Sequence, residues 1–425
     1  MSQTLFIAPS AYSIGELVNA IEIARTLPDP SQARFLVAGR NVDYVRASGF
    51  AAEKLPRGSA AAKACRQAVA DADLDAVVLA DHHLLGLERV GFTIDDVLGG
   101  APLVAVDSLA FGGAGRTLEL AVSKVSDNPM VQKFFPAEVT LPTLPEQVPL
   151  LRPVPVAPAV VADEGTRRIR SFDLYGDRLP RDIDVAAVRA RLGVEPHRKL
   201  VMLAMSNWAT TAMTKPGLGA PNRDRDAVYQ LRMRWFAELL RRIDEPIALV
   251  GVSADALPAT GQDVQIITSG FLPLAEFTEL LAAADLYLTD NITSGALARA
   301  VLLGTPAVVL THEHETEAGA DAFTAHWREE MSEQFPGFDF PYLVNPFGWL
   351  DELQLLLTDN DYLRVLTRVD AYDFAAQVAA CRAALLEPDA HRHVRDALDR
   401  QRQGLPTGGE ALHELRQPAP ASEGG

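Results

Sequence analysis

The chain is short of cysteine, of basic residues relative to acidic ones, and of long apolar runs. Its two cysteines, Cys65 and Cys381, are far apart in sequence and cannot build a disulfide framework, so a reduced, cytoplasmic setting is expected. Lys and Arg total 39 against 56 Asp and Glu, a formal charge of −17. That balance argues against nucleic acid or an anionic membrane as the main partner. A local basic pocket for a phosphate remains compatible with it. No apolar stretch reaches the roughly 20 residues of a bilayer-spanning helix, so no membrane insertion is expected. The opening segment Met1-Ser2-Gln3-Thr4-Leu5-Phe6-Ile7 has no basic region before its strand-length apolar run, which does not fit a secretory leader. The sequon Asn291-Ile292-Thr293 is then without consequence.

What is present is a globular composition. Of 425 residues, 48% are hydrophobic and 22% charged, enough apolar material for real cores and enough length for two or three domains. The first half alternates short apolar runs with helical patterns. Thr4–Ala8, Arg34–Ala38, Asp75–Ala80 and Pro102–Val106 read as strands. Helical stretches run from about Ile14 to Leu27, Asn41 to Ser48 and Ala60 to Ala70. Continuous Val/Leu/Ile strands separated by helices predict a parallel sheet covered on both faces.

Between Leu141 and Pro158 proline recurs, which predicts an extended connection or sheet edge, because proline cannot donate to a central ladder. A charged, Arg-rich stretch follows, for which helices are expected. A second alternation then begins at Leu200–Met205 and runs through Ile247–Val252, Val264–Thr268, Leu286–Thr289 and Pro306–Leu310. Helices are expected over Asp226–Arg242, Ala275–Ala283, Ser294–Leu303 and Tyr362–Leu386. The expected boundaries are an N-terminal Rossmann-like domain over 1–160, a linker region over 161–198 and a C-terminal Rossmann-like domain over 199–360. C-terminal helices over 361–402, packing back on the N-terminal domain, and a Gly/Pro-rich disordered tail over 403–425 complete the division.

One segment carries a specific pattern. Gly270-Phe271-Leu272-Pro273 is followed by Glu276 and Leu280-Leu281, then Ala284-Asp285-Leu286-Tyr287-Leu288-Thr289-Asp290. Asn291-Ile292-Thr293-Ser294-Gly295-Ala296-Leu297 and Leu303-Gly304-Thr305-Pro306-Ala307-Val308-Val309-Leu310 complete it. In order and spacing this resembles the donor-binding domain of GT-B glycosyltransferases, which use nucleotide sugars. The resemblance implies an α/β fold of two Rossmann-like doubly wound domains facing a cleft. It also implies a hexosyltransferase-type activity that needs no metal and no cofactor beyond a UDP- or dTDP-linked co-substrate. The partners would be that nucleotide-sugar donor and a soluble small-molecule or peptide acceptor; a homodimer is left open.

The residues themselves support such chemistry. A helix starting at Ser294-Gly295 has unpaired N–H groups and a partial positive charge in its first turn, and small residues let a diphosphate approach the backbone. Alternatively Thr293 or Ser294 simply caps a structural helix. The donor candidates are Ser206, Asn207 and Lys215 after the first strand of the second domain, Phe271 and Leu272, then Asn291, Thr293, Ser294 and Gly295. His312 and Glu315, after the strand Pro306–Leu310, complete the set. A metal reading of His312-Glu313-His314-Glu315 is not favoured, because a short loop seldom supplies a full site.

On the acceptor side the loop Ser13-Ile14-Gly15-Glu16 stands where many family members carry a Gly-His pair with the His as base. The imidazole is absent, which leaves Glu16 as the candidate base, against a plain role in complementing the helix dipole. Asp81, His82 and His83 end the strand Asp75–Ala80 and are further catalytic candidates. Asp107 and Ser108 end the next strand and, with Ser13 and Gly15, are acceptor-side candidates. A ribose-holding carboxylate is also absent from Ala298-Arg299-Ala300-Val301. Two rival functions therefore stay open, a nucleotide-sugar epimerase and a non-catalytic GT-B-like partner protein.

Overall fold

The computed structural model describes the chain apart from residues 1–2, 12, 72, 89, 114, 120–137, 160–165, 205–233, 253–263, 271, 312–324, 327–328, 331–332, 334–352, 372 and 418–425. It divides into two compact units. The first comprises Met1–Thr117, Thr140–Arg178 and Arg400–Gly425; the second comprises Leu118–Val139 and Leu179–Asp399. Among the described residues no helix is long and apolar enough to cross a membrane.

The first unit is built on a seven-stranded sheet. Its strands are β1 (Gln3–Ala8), β2 (Ala33–Ala38), β3 (Ala51–Leu55), β4 (Leu74–Leu79), β5 (Leu103–Val106), β8 (Leu150–Val154) and β9 (Ile169–Asp173). The two short strands β6 (Thr117–Glu119) and β7 (Glu138–Thr140) pair separately. The sheet order is β3-β2-β1-β4-β5-β8-β9 with parallel pairing. Order reverses at β1/β4, the point where doubly wound sheets bind ligands beyond the strands' carboxyl ends.

Helices α1 (Ile14–Ala24), α2 (Val42–Ala47), α3 (Ser59–Val69) and α4 (Leu84–Glu88) connect the first strands. The central strands are apolar without alternation because both faces are covered. Leu5, Ile7, Val77, Leu79 and Ala105 point to one side and pack with Cys65 and Val69 of α3. Phe6 stacks on Phe35 at 4.9 Å between ring centroids.

The proline-rich run contains β8, which lies inside the sheet between β5 and β9 rather than at its edge. The sheet tolerates Pro153 because β5 pairs only with Leu150 and Leu151. By Pro153 the β5 side has run out, and the missing N–H leaves no gap in that ladder. The Arg-rich stretch likewise holds strand β9 before its one described helix, α5 (Val185–Arg191).

The second unit repeats the plan. Its strands are β10 (Lys199–Ala204), β11 (Ile247–Gly251), β12 (Val264–Thr268), β13 (Leu286–Thr289), β14 (Ala307–Thr311) and β15 (Thr367–Asp370). They are parallel, in the order β12-β11-β10-β13-β14-β15, the 3-2-1-4-5-6 arrangement of dinucleotide-type folds. Helices α6 (Leu274–Ala283) and α7 (Gly295–Leu302) flank β13, and α8 (Phe374–Leu386) follows β15. The expected single helix over Tyr362–Leu386 is therefore interrupted by a strand. Thr367 and Val369 are β-branched, and pairing with β14 completes the sheet. A fresh cap, Asp373 accepting from the Ala376 N–H at 2.9 Å, then starts α8.

After α9 (Arg392–Arg402) the expected disordered tail over 403–425 is ordered in its described part, residues 403–417. Gly408–Arg416 forms helix α10 on the first unit. Thr407 and Glu410 make a reciprocal capping box. At the other end the Arg168 guanidinium donates to the carbonyls of Glu414, Leu415 and Gln417, satisfying acceptors that a helix end leaves open. The glycines that make this stretch look unstructured are what let it dock. A Cβ on Gly409 would lie 2.0 Å from the Thr26 carbonyl oxygen, and the Gly409 N–H donates to Thr26 Oγ1 at 2.7 Å. Gly409→Ala is predicted to destabilise the first unit by about 1–3 kcal/mol through overpacking. Denaturant unfolding of the full chain measures it, and an unchanged midpoint would contradict this docking.

Candidate functional site

The turns after β4 and β5 carry the left-handed non-glycine residues described in the first unit, Asp81 and Ala110. Asp81 adopts φ +46°, a left-handed conformation that costs a non-glycine residue energy and recurs at functional sites. It is retained because the carboxyl is tied down: Asp81 Oδ1 accepts the Ser108 N–H at 2.8 Å and Oδ2 accepts Ser108 Oγ–H at 2.8 Å. Ser108 Oγ in turn accepts from Asn19 Nδ2 of α1 at 3.0 Å. The ends of β4 and β5 and the inner face of α1 are thus laced through one serine.

Around Asp81 the charges are unbalanced. Burial is the largest effect on its carboxyl and outweighs the two Ser108 hydrogen bonds, raising its pKa to about 7. Glu16, in the first turn of α1, is raised to about 8, first by burial and then by the nearby Asp81 charge, with Glu88 adding to it. Glu16 Oε2 is buried with no hydrogen-bond partner. His83 is 1% exposed, and its Nδ1 also lacks a hydrogen-bond partner, standing 3.9 Å from Asp81 Oδ1. Burial, then His82, hold the His83 ring well below its ordinary pKa, so it is neutral at pH 7. The arrangement is two carboxyls that burial keeps protonated toward neutral pH, with a neutral imidazole beside one of them.

The sequence candidates divide in this geometry. Glu16, Asp81, His83 and Ser108 come together. His82 does not join them: Nδ1 faces the Val106 carbonyl at 3.3 Å and Nε2 the Gly112 carbonyl at 2.8 Å. Asp107 accepts from the Phe111 and Gly112 N–H groups and from Arg152 Nε at 3.0 Å, so it shapes the loop after β5. Gly15 is exposed in the first turn of α1. Ser13 precedes α1 and its N–H donates to Ser10 Oγ at 2.6 Å.

Sequence reasoning missed Ser10, Asn19 and Glu88. Asn19 has a signal, a polar residue on the buried stripe of α1. Glu88 has none, because its partners are 77 and 78 residues away.

In the second unit the start of α7 is capped by its own residues. Ser294 Oγ accepts the Ala296 N–H at 3.1 Å, and Asn291 Oδ1 accepts the Thr293 N–H at 3.1 Å and Thr293 Oγ1–H at 3.0 Å. A phosphate at this helix start would take the place of the Ser294 cap. Leu272 is half-buried just before α6. Ser206, Asn207, Lys215, Phe271, His312 and Glu315 lie outside the described residues. Among the described residues, no group of three or more His, Cys, Asp or Glu side chains is placed to hold a metal ion.

The raised carboxyls fix how stability depends on pH. A carboxyl whose folded pKa exceeds its unfolded value keeps its proton in the folded state, so stability falls as pH rises through the folded pKa. Glu16 and Asp81 act this way up to about 8 and 7. The buried His83 acts oppositely, but only below the ordinary histidine range. From about pH 6.5 to 8 the carboxyls dominate this cluster's contribution. Glu16→Gln is predicted to lose less stability than the parent over that window, read by denaturant midpoints at each pH. Parallel pH curves would contradict the assignment.

Comparison with known proteins gives the fold. The spinosyn forosaminyltransferase SpnP is 13% identical, with 97% of this chain and 98% of that chain covered, at TM-score 0.51. Arabidopsis thaliana UGT89C1, solved in complex with UDP, is 14% identical over 98% and 99% of the two chains, at TM-score 0.52. At these identities the likeness speaks for architecture: this is the GT-B glycosyltransferase fold. No curated protein matches the sequence. Residues 24–417 match DUF6365, a family of unknown function, and the chain belongs to that family.

Proposed function

We propose that the protein is a glycosyltransferase that moves a sugar from a nucleotide-sugar donor to a soluble small-molecule or peptide acceptor without a metal ion. The observation that carries this reading is the pair Glu16, half-buried with its Oε2 shielded, and Asp81, fully buried, beyond the carboxyl ends of β1 and β4. That is where a doubly wound sheet presents its chemistry. The GT-B fold over the whole chain agrees with it, and the solved structure of UGT89C1 with UDP supports a nucleoside diphosphate as the leaving group.

In this reading the acceptor binds the first unit and its hydroxyl faces the carboxyl pair. The hydroxyl oxygen bonds to the anomeric carbon as the bond from that carbon to the diphosphate oxygen breaks. The electron pair leaves with the nucleoside diphosphate. The hydroxyl proton passes to the ionised member of the pair, Asp81, whose pKa near 7 suits a base at neutral pH. Glu16, protonated for most of the time at pH 7, donates a hydrogen bond and limits the charge in the buried site. The donor diphosphate lies at the start of α7 in the second unit, where Gly295 and the neighbouring amides meet growing negative charge. That interaction is stronger in the transition state than in the ground state.

The test is incubation with UDP- and dTDP-sugars and an acceptor panel, with product analysis and calorimetry. Transfer is expected, and Asp81→Asn should lower it by about 100-fold or more, the range of a lost general base. Ser294→Asp puts a negative charge beside the diphosphate and should weaken donor binding by about 100-fold or more. Isomerised donor without transfer, or no donor binding by the parent protein, would contradict the proposal.

A further inference from the structure

The segment 81–88 does two things at once. Its first residue is Asp81, and its last, Glu88, ends α4 and reaches back to the loop between β1 and α1. Glu88 Oε1 accepts Ser10 Oγ–H, and Glu88 Oε2 accepts the Ala11 N–H at 2.9 Å. Ser10 Oγ then accepts the Ser13 N–H at 2.6 Å, and the Ser10 carbonyl accepts from Asn41 Nδ2 at 3.0 Å. Three residues beyond Ser13 stands Glu16.

The turn that joins the two carboxylates is itself bonded. The N–H groups of Leu84, Leu85 and Gly86 donate to the carbonyls of Asp81, His82 and His83 at 3.0, 3.1 and 3.1 Å. Asp81 and Glu88 are therefore the two ends of one braced hook, and Glu16 enters on the loop the hook holds.

We propose that Glu88 is the positioning residue of this site: by gripping Ser10 and Ala11 it fixes the β1–α1 loop so that Glu16 is held against Asp81, out of water. A carboxylate suits this task better than a neutral acceptor, because its two oxygens take two donors from adjacent residues in charge-assisted hydrogen bonds. It also adds negative charge beside Glu16, after burial and Asp81. The charged and titratable groups facing Glu16 are thus Asp81 from the end of β4 and Glu88 from α4, with His83 behind Asp81. The inference rests on reading Glu16 and Asp81 as the acid–base pair, but its test needs no substrate.

The experiment compares Glu88→Gln, Glu88→Ala and Ser10→Ala in the full chain by two measurements. One is the titration of the Glu16 side-chain carboxyl by carbon-13 NMR, assigned with Glu16→Gln. The other is amide hydrogen exchange over residues 11–16. Glu88→Gln loses the charge and one of the two acceptor oxygens but keeps one for the Ala11 N–H; exchange should rise less than in Glu88→Ala, while the Glu16 midpoint falls below that of the parent. Glu88→Ala should release the loop, raising exchange at least about tenfold in this segment and bringing Glu16 toward the ordinary glutamate range. Ser10→Ala removes the Ser10 arm of the grip and the acceptor of the Ser13 N–H while the Ala11 N–H stays on Glu88; exchange should rise in the same segment, less than in Glu88→Ala, so it decides the matter if Glu88→Ala does not fold. Parent-like exchange in Ser10→Ala, or a Glu16 midpoint unmoved by Glu88→Gln, overturns the proposal. Because neither readout uses donor or acceptor, a failed transferase assay with these results intact would count against the proposed activity alone.

Discussion

The first unit turns on keeping the Asp81 carboxyl out of water at the end of β4. Burying a carboxylate is expensive unless hydrogen bonds or opposite charge compensate. Here Ser108 supplies two hydrogen bonds, and no cationic side chain is among the described hydrogen-bond partners of Asp81. The remaining cost appears as retained protons on Asp81 and Glu16. The surrounding geometry follows from this: the left-handed turn at Asp81, the serine that laces β4 to β5 and α1, and the neutral imidazole of His83. Structure that is costly locally survives because the parallel sheet beneath it is a continuous apolar core.

The two units put the same chain order to different local use. In the first, polar side chains crowd the carboxyl ends of β1, β4 and β5 and bond to one another. In the second, the corresponding turn after β13 spends its polar side chains on the start of α7, through Asn291 and Ser294. A helix start capped in this way is anion-ready but already partly satisfied, so a diphosphate must exchange with the Ser294 hydroxyl. The carboxyl cluster of the first unit has no such internal solution, which is why Glu16 Oε2 and His83 Nδ1 remain without hydrogen-bond partners.

The alternating strands and helices were legible because buried parallel strands leave unbroken apolar runs, and the pattern from Gly270 to Leu310 identified the fold class. Elements with mixed signals were not. β8 hides among prolines because only its first half meets β5. β15 hides between helices because an edge strand needs only a few β-branched residues. α10 hides in a Gly-rich tail because close docking, rather than flexibility, demanded the glycines. Within the site, Glu16 and Asp81 could be named from their places after β1 and β4. Their coupling could not, since it depends on burial. Glu88 was invisible for a related reason: its hydrogen bonds join residues nearly eighty positions apart, and nothing in the local sequence of α4 announces them.

The most direct measurement of the central claim is an infrared pH titration of the unmodified protein in the carboxyl stretching region, with Asp81 and Glu16 bands assigned by isotope editing. The account predicts protonated carboxyl absorption from both residues persisting to near neutral pH and vanishing only around pH 7 and 8. Complete loss of that absorption below about pH 5, where ordinary carboxyls have ionised, would contradict it.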